Sequence, residues 1–282
     1  MAKLLKYILI AVAISLITQY GAKKCFADDG DNYDLNLKQF PITYNYLKET
    51  FLSPLHFTPS DWNKAALIGL GTGILYTQDT SIRNYSRQNR TEDTDNVARF
   101  FMNFGDGVYT AGILASFYVY GTLNEDDRYR RIGLLGAESI VVNAVLTSTV
   151  KVTLQRPLPA SGLPYDAWYP KWSSIDDLAF PSGHTSSAFA CATIIATEFS
   201  DTPVIPVLAY TTASITALSM VDMDQHWASD LLPGAALGYY TAKKIESMQK
   251  RKSTQAYQGS SDFAFFPMIS GESISFLCSY SF

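Results

Sequence analysis

Three cysteines and three histidines in 282 residues are thin material for a metal centre, and no metal-ligand spacing connects them. With Cys25 in an N-terminal segment set aside below, Cys191 and Cys278 remain, and no disulfide framework exists. Cys191 sits in the apolar run Ala188 to Ala196, the setting of a buried free thiol. Excess positive charge is also lacking. The formal net charge is −4, and residues 1–27 hold four lysines (Lys3, Lys6, Lys23, Lys24) and no acid, so the remainder carries 18 basic and 26 acidic groups, or −8. Nucleic acid is therefore excluded as a partner, and an anionic ligand needs a local basic cluster working against the global field. Charged residues make up only 17%, while apolar residues reach 47%, which excludes a disordered chain.

What is present begins with an export signal. Lys3 and Lys6 form a basic start, Tyr7 to Thr18 an apolar run, and Cys25-Phe26-Ala27 a small-x-small cleavage site, so residues 1–27 are set apart from the fold. Residues 28–58 are polar and aromatic without a clear period and read as a surface extension. Thr58-Pro59-Ser60-Asp61 starts a helix, with proline in the first position and an acid in the third, and an apolar helix runs on to about Tyr76. Asp79 to Arg99 reads as a charged amphipathic stretch, with Arg83, Arg87 and Arg90 at helical spacing on a solvated face. Further helices are expected from Val108 to Tyr120, from a cap at Asn124 to about Leu154, from Ser182 to Phe199, from Val204 to Ser219 and from Trp227 to Met248. In the tail, Phe276, Cys278, Tyr280 and Phe282 alternate as a strand does, and two short strands around Gly271 form a β-hairpin.

The fold class is thus all-α: a six-helix bundle over residues 59–248, followed by a basic linker and hairpin over 249–282. Several of its helices hold only 13–17 apolar-rich positions, short of the roughly 20 that cross a bilayer. If all six spanned, the basic Lys243–Lys252 tail would lie outside, against the positive-inside tendency. The expectation is an exported, soluble or peripherally attached bundle in the periplasm or cell envelope, with a multi-span inner-membrane protein as the alternative.

The chemistry centres on Pro181-Ser182-Gly183-His184-Thr185, which follows a proline-rich loop over residues 155–182. Loops this long inside a compact domain are usually functional. Ser182 is a good N-cap, Gly183 lets the backbone approach a ligand, and the free N–H groups of the first helical turn form an anion site. His226 lies in His226-Trp227-Ala228-Ser229-Asp230, where Asp230, one turn on, orients the ring. In an antiparallel bundle, Lys151 and Arg156, the Ser182 turn, and His226 with Asp230 all fall at one end. Two cations and a helix N-terminus bind an oxyanion, and two histidines supply a nucleophile and a proton donor. That inventory suits phosphoryl transfer through a phosphohistidine, without a metal.

These residues resemble the motifs of the type 2 phosphatidic acid phosphatase and vanadium haloperoxidase superfamily. The family pattern is a lysine followed seven residues on by Arg-Pro, then Pro-Ser-Gly-His, then Ser-Arg, five residues, His, three residues and Asp. Pro181-Ser182-Gly183-His184 matches in full, and Lys151, Pro159, Ser219, His226 and Asp230 stand at their places, but Leu158 and Met220 occupy two arginine positions. The resemblance implies that His226 attacks phosphorus, Asp230 holds its other nitrogen, and His184 protonates the leaving oxygen and then activates water. Lys151, Ser182 and Gly183 would hold the phosphate oxygens, with Arg156 as a stand-in. It implies hydrolysis of a phosphate monoester, from a phosphorylated lipid met at a membrane surface or a small phosphate ester, with no cofactor. Vanadate would be needed only under the haloperoxidase reading. Losing one oxyanion donor costs about 2.7–4 kcal/mol, so Leu158 and Met220 also admit a non-catalytic envelope protein that binds an anionic ligand. Asp222 and Asp224, between Met220 and His226, could hold a divalent cation in place of a lost arginine. Leu163, Trp168 and Trp172 of the loop would suit an acyl or isoprenyl chain.

Overall fold

The computed structural model describes residues 39–168, 175–256, 263–270 and 273–280. Among them are eight α-helices: α1 (Gln39–Leu52), α2 (Pro59–Asn89), α3 (Glu92–Met102), α4 (Gly107–Leu123), α5 (Asp127–Leu154), α6 (Gly183–Glu198), α7 (Val204–Asp222) and α8 (Ala228–Ala256). Two strands follow, β1 (Phe263–Ser270) and β2 (Ser273–Tyr280), paired antiparallel from Phe263 opposite Tyr280 to Ser270 opposite Ser273. Contacts divide the chain into two units, one spanning Phe51–Lys243 and one made of the flanking parts. In the flanking unit the hydroxyl of buried Tyr46 donates to Gln249 at 2.7 Å. Residues 1–27, expected to be an export signal, and Trp172 lie outside the described residues.

Side-chain caps set where the helices begin. Thr58 and Asp61 exchange hydrogen bonds in a capping box ahead of Pro59, as the sequence predicts. Thr91 and Thr94 cap α3 in the same way. Asp106 accepts from Val108 N–H at 2.8 Å and starts α4. Three boundaries differ from the sequence reading. The expected surface extension contains α1. The apolar helix and the charged stretch after it are one 31-residue helix, α2, because no glycine or proline interrupts them after Gly73 and the Thr91 cap only begins the next helix. Asn124 does not cap α5: its side-chain amide donates to the Tyr120 carbonyl at the end of α4, Glu125 takes a left-handed conformation (φ 54°), and Asp126 is the cap.

The site-bearing unit is organised on α5, whose Ile132, Leu134, Leu135, Val142 and Leu146 are buried. Helix α5 packs against α4 and α6, and α6 against α7. Alanines bring the last pair close, with Ala188 and Ala192 of α6 against Ala213 of α7. Buried Asn143 on α5 accepts a hydrogen bond from Ser186 Oγ of α6 at 2.5 Å, which fixes the two helices in register. Gly234 admits α8 to the start of α6: a methyl there would meet the Ser182 carbonyl oxygen at 2.6 Å. The start of α6 and the first turns of α8 are therefore held in backbone contact.

Two described helices, α5 and α7, are long and apolar enough to cross a membrane by length and composition. Helix α5 is mostly buried, whereas most of α7 is not, and Val204, Val207, Leu208 and Leu218 stand exposed on it. Trp62, Leu67, Leu70 and Ile74 are likewise exposed on α2. Helix α2 is 31 residues long, but its apolar part gives way to charged residues after Tyr76, and it is not among the helices apolar enough to cross a membrane.

Candidate active site

The three segments expected at one end of the bundle do meet there. Ser182 N–H donates to the Asp230 carbonyl at 3.0 Å, tying the Pro-Ser-Gly-His turn to the turn that carries His226. Ser182 is fully buried and caps α6, its Oγ accepting from Thr185 N–H at 3.3 Å and from the Thr185 hydroxyl at 2.9 Å. With two acceptances made, the Ser182 hydroxyl keeps its own proton to donate. Lys151, in the last turn of α5, runs past Gly183, its Cε 4.0 Å from where a Gly183 side chain would begin. Its ammonium donates to the Leu178 carbonyl. His184 is half-buried in the first turn of α6, where its backbone closes against Gly105.

His226 is 5% exposed, in the turn between α7 and α8. Its backbone N–H donates to the Met220 carbonyl at 3.1 Å, so Met220, fully buried at a family arginine position, shapes the turn rather than a ligand. Nδ1 of His226 lies 3.5 Å from Oδ2 of Asp230, at the limit of hydrogen bonding, and is buried with no shorter partner. Asp230 Oδ2 also receives the Trp227 N–H at 2.8 Å. Burial holds the imidazole below its ordinary pKa, and nearby Lys151 pushes the same way, while Asp230 and the Ala179 carbonyl oppose them. The neutral ring is therefore favoured, as a nucleophile requires.

Arg156 departs from its expected place. It is wholly buried behind Asp230, and all five of its N–H donors have protein acceptors. Nη1 donates to Asp230 Oδ1 at 2.6 Å and to Ser229 Oγ at 2.7 Å. Nη2 donates to Asp79 Oδ2 at 2.6 Å and to the Tyr165 carbonyl at 2.9 Å, and Nε donates to that same carbonyl at 3.1 Å. Tyr76, Trp168 and Trp227 surround the guanidinium, their ring centroids 5.0, 5.2 and 5.4 Å away. No donor is left over for a phosphate. Trp168 thus packs on Arg156 and donates to Tyr76 Oη at 3.0 Å, and both it and Leu163 keep part of their surface exposed.

The acids between Met220 and His226 are likewise engaged. Asp224 is bound by Arg83, Nε to Oδ1 at 2.8 Å, and by Arg87 at 3.4 Å. Asp222 Oδ1 accepts from Ser86 Oγ at 3.0 Å. The arginines read as a solvated face therefore turn toward the α7–α8 corner, where Asp224, suggested as a cation ligand, is paired with guanidinium instead, while Asp222 Oδ2 is buried without a hydrogen-bond partner. Arg83 also donates to the Pro159 carbonyl at 2.6 Å, beside Leu158.

Asp79 and Ser229 were not singled out as site residues by sequence reasoning, and Arg83 was read as part of a solvated face. Asp79 is 1% exposed in the middle of α2, and both its oxygens are bonded by α8: Ser229 N–H to Oδ1 at 2.9 Å and Ser229 Oγ to Oδ2 at 2.5 Å. The available signal was an acid straight after the apolar stretch ending at Tyr76, which the arginines that follow made read as solvated.

Residues 133–253 match the model of the PAP2 superfamily. Over 61 residues the chain is 51% identical to a lipid A 1-phosphatase of Porphyromonas gingivalis, a match covering 21% of this chain and 14% of that protein. The chain thus spans about one seventh of that curated relative's length. A solved PAP2-type phosphatidylglycerolphosphate phosphatase of Bacillus subtilis, described as transmembrane, shares the fold with a TM-score of 0.52 at 17% identity, over 66% of this chain and 96% of that one. Aquifex aeolicus LpxE aligns with a TM-score of 0.46 at 18% identity, over 60% and 94% of the two chains.

Proposed function

Starting from a chain whose residues 133–253 belong to the PAP2 superfamily, we propose that it is a lipid phosphatase acting through a phosphohistidine on His226. The observation that carries this reading is the 3.0 Å bond from Ser182 N–H to the Asp230 carbonyl, which joins the anion-binding turn to the buried His226–Asp230 pair. In the first step Nε2 of His226 forms a bond to phosphorus, the bond from phosphorus to the lipid oxygen breaks, and His184 gives that oxygen a proton. In the second, water attacks phosphorus, His184 takes its proton, and the phosphorus–nitrogen bond breaks to release phosphate. Lys151, the Ser182 hydroxyl and the Gly183 N–H stabilise the oxygens. Arg156 has no part in holding them.

A phosphorylated lipid is favoured over a soluble ester by the apolar side chains exposed on α2 and α7, a surface suited to membrane association. The relatives' own names, lipid A 1-phosphatase and phosphatidylglycerolphosphate phosphatase, agree with that class. The test is phosphate release from lipid A, phosphatidylglycerolphosphate, phosphatidic acid and a soluble aryl phosphate, with wild type beside His226→Ala. Release from a lipid phosphate that the variant abolishes is the expected result. Equal rates for the two proteins would remove the enzymatic reading and leave an anion-binding PAP2 protein.

A further inference from the structure

Arg156 is charged, buried and adjacent to the histidine, yet it has no donor left for substrate. Its five hydrogen bonds end on α2 (Asp79), on α8 (Ser229 and Asp230) and on the loop between (Tyr165). Asp79 is in turn held by both the backbone and the side chain of Ser229, the residue next to Asp230. Of the Asp230 oxygens, Oδ1 is claimed by Arg156, and Oδ2 receives Trp227 N–H and faces His226 Nδ1. The carboxylate is thus pinned at both ends, with one oxygen aimed at the imidazole.

We propose that Asp79 and Arg156 form a positioning pair that sets the orientation of Asp230, and through it holds His226 with Nδ1 protonated and Nε2 directed to the substrate. A planar fork is needed because the guanidinium must reach two carboxylates, a hydroxyl and a carbonyl at once, which an ammonium of the same charge cannot do. The aromatic rings of Tyr76, Trp168 and Trp227 keep water from these bonds. The proposal rests on the phosphohistidine reading for its kinetic consequences, but the state of the His226 ring can be read without turnover.

The experiment uses the full chain in detergent micelles carrying Arg156→Lys or Asp79→Asn. With three histidines in the sequence, nitrogen NMR of labelled histidine assigns the His226 ring by comparison with His226→Gln. In the wild type the Nδ1–H tautomer is expected, and in both variants a mixture of tautomers. Kinetically, kcat is expected to fall about 10²-fold, the cost of a misplaced reacting group, while KM and inhibition by inorganic phosphate stay within about two-fold (a displacement of under ~0.5 kcal/mol). A rise in the phosphate inhibition constant of about ten-fold or more with kcat retained would overturn the proposal and make Arg156 a phosphate ligand. Full activity with an unchanged tautomer in Arg156→Lys would overturn it in favour of a packing role alone. Should Arg156→Lys fail to fold, Asp79→Asn and Ser229→Ala carry the same readouts. An inactive wild type would refute the phosphatase reading, and the tautomer comparison would still decide the positioning role.

Discussion

Arg156 and Arg83 each bind an aspartate within the same unit, yet they work in different surroundings. The Asp79–Arg156–Asp230 cluster is sealed at 0% side-chain exposure and walled by three aromatic rings. In the Arg83–Asp224–Arg87 cluster, side-chain exposure rises from 15–18% for Asp224 and Arg83 to 55% for Arg87. In water an ion pair adds little, because solvent already screens and hydrates both partners. In the sealed cluster every charge must be matched by protein, and a missing partner strands the rest. The inner cluster therefore defines one geometry around His226, whereas the outer one joins α2 to the α7–α8 corner.

Removing one member from each cluster tests that contrast. Arg156→Met leaves two buried carboxylates unpaired and is expected to cost about 3–5 kcal/mol of stability, read as a lowered denaturant midpoint in detergent. Arg83→Gln should cost less, about 1–2 kcal/mol, since water can replace part of its bonding to Asp224 and the Pro159 carbonyl. Equal losses would mean that burial does not separate the clusters.

A subtler prediction concerns pH. Because burial lowers the His226 pKa, the acid limb of kcat/KM should lie below the ordinary histidine value of 6.5. The sign for stability is the same: below about pH 6.5 the unfolded chain takes up a proton that folded His226 resists, so stability is lost as pH falls. Lys151→Met removes a cation that disfavours protonation, and the limb should move to higher pH. Arg87→Gln should leave it where it is. Arg87→Gln should also show the smallest stability effect, within about 1 kcal/mol. That effect should vanish near 1 M salt, where the screening length is about 3 Å, while the Arg156→Met loss should persist.

Much of the fold was legible in the residues. The Thr58 and Ser182 caps, the apolar helices after them and the turn at His226 are local features, written in side chains within a few positions of one another. Charge was harder to read. Arg83, Arg87 and Arg90 repeat every three or four residues, as a solvated face does, and sequence spacing cannot show that Asp224 lies opposite. Arg156 follows Lys151 closely and reads as a second phosphate cation, until Asp79, 77 residues earlier, and Asp230, 74 residues later, are found to claim it.

The sequence by itself determined the helical class and the local motifs Pro181-Ser182-Gly183-His184 and His226 with Asp230 one turn on, because capping, periodicity and motif spacing are short-range properties of the chain. Tertiary structure alone decided which cations reach the site. An arginine's partner depends on which distant helices pack around it and how much water they exclude, and neither quantity is encoded within one turn of the residue itself.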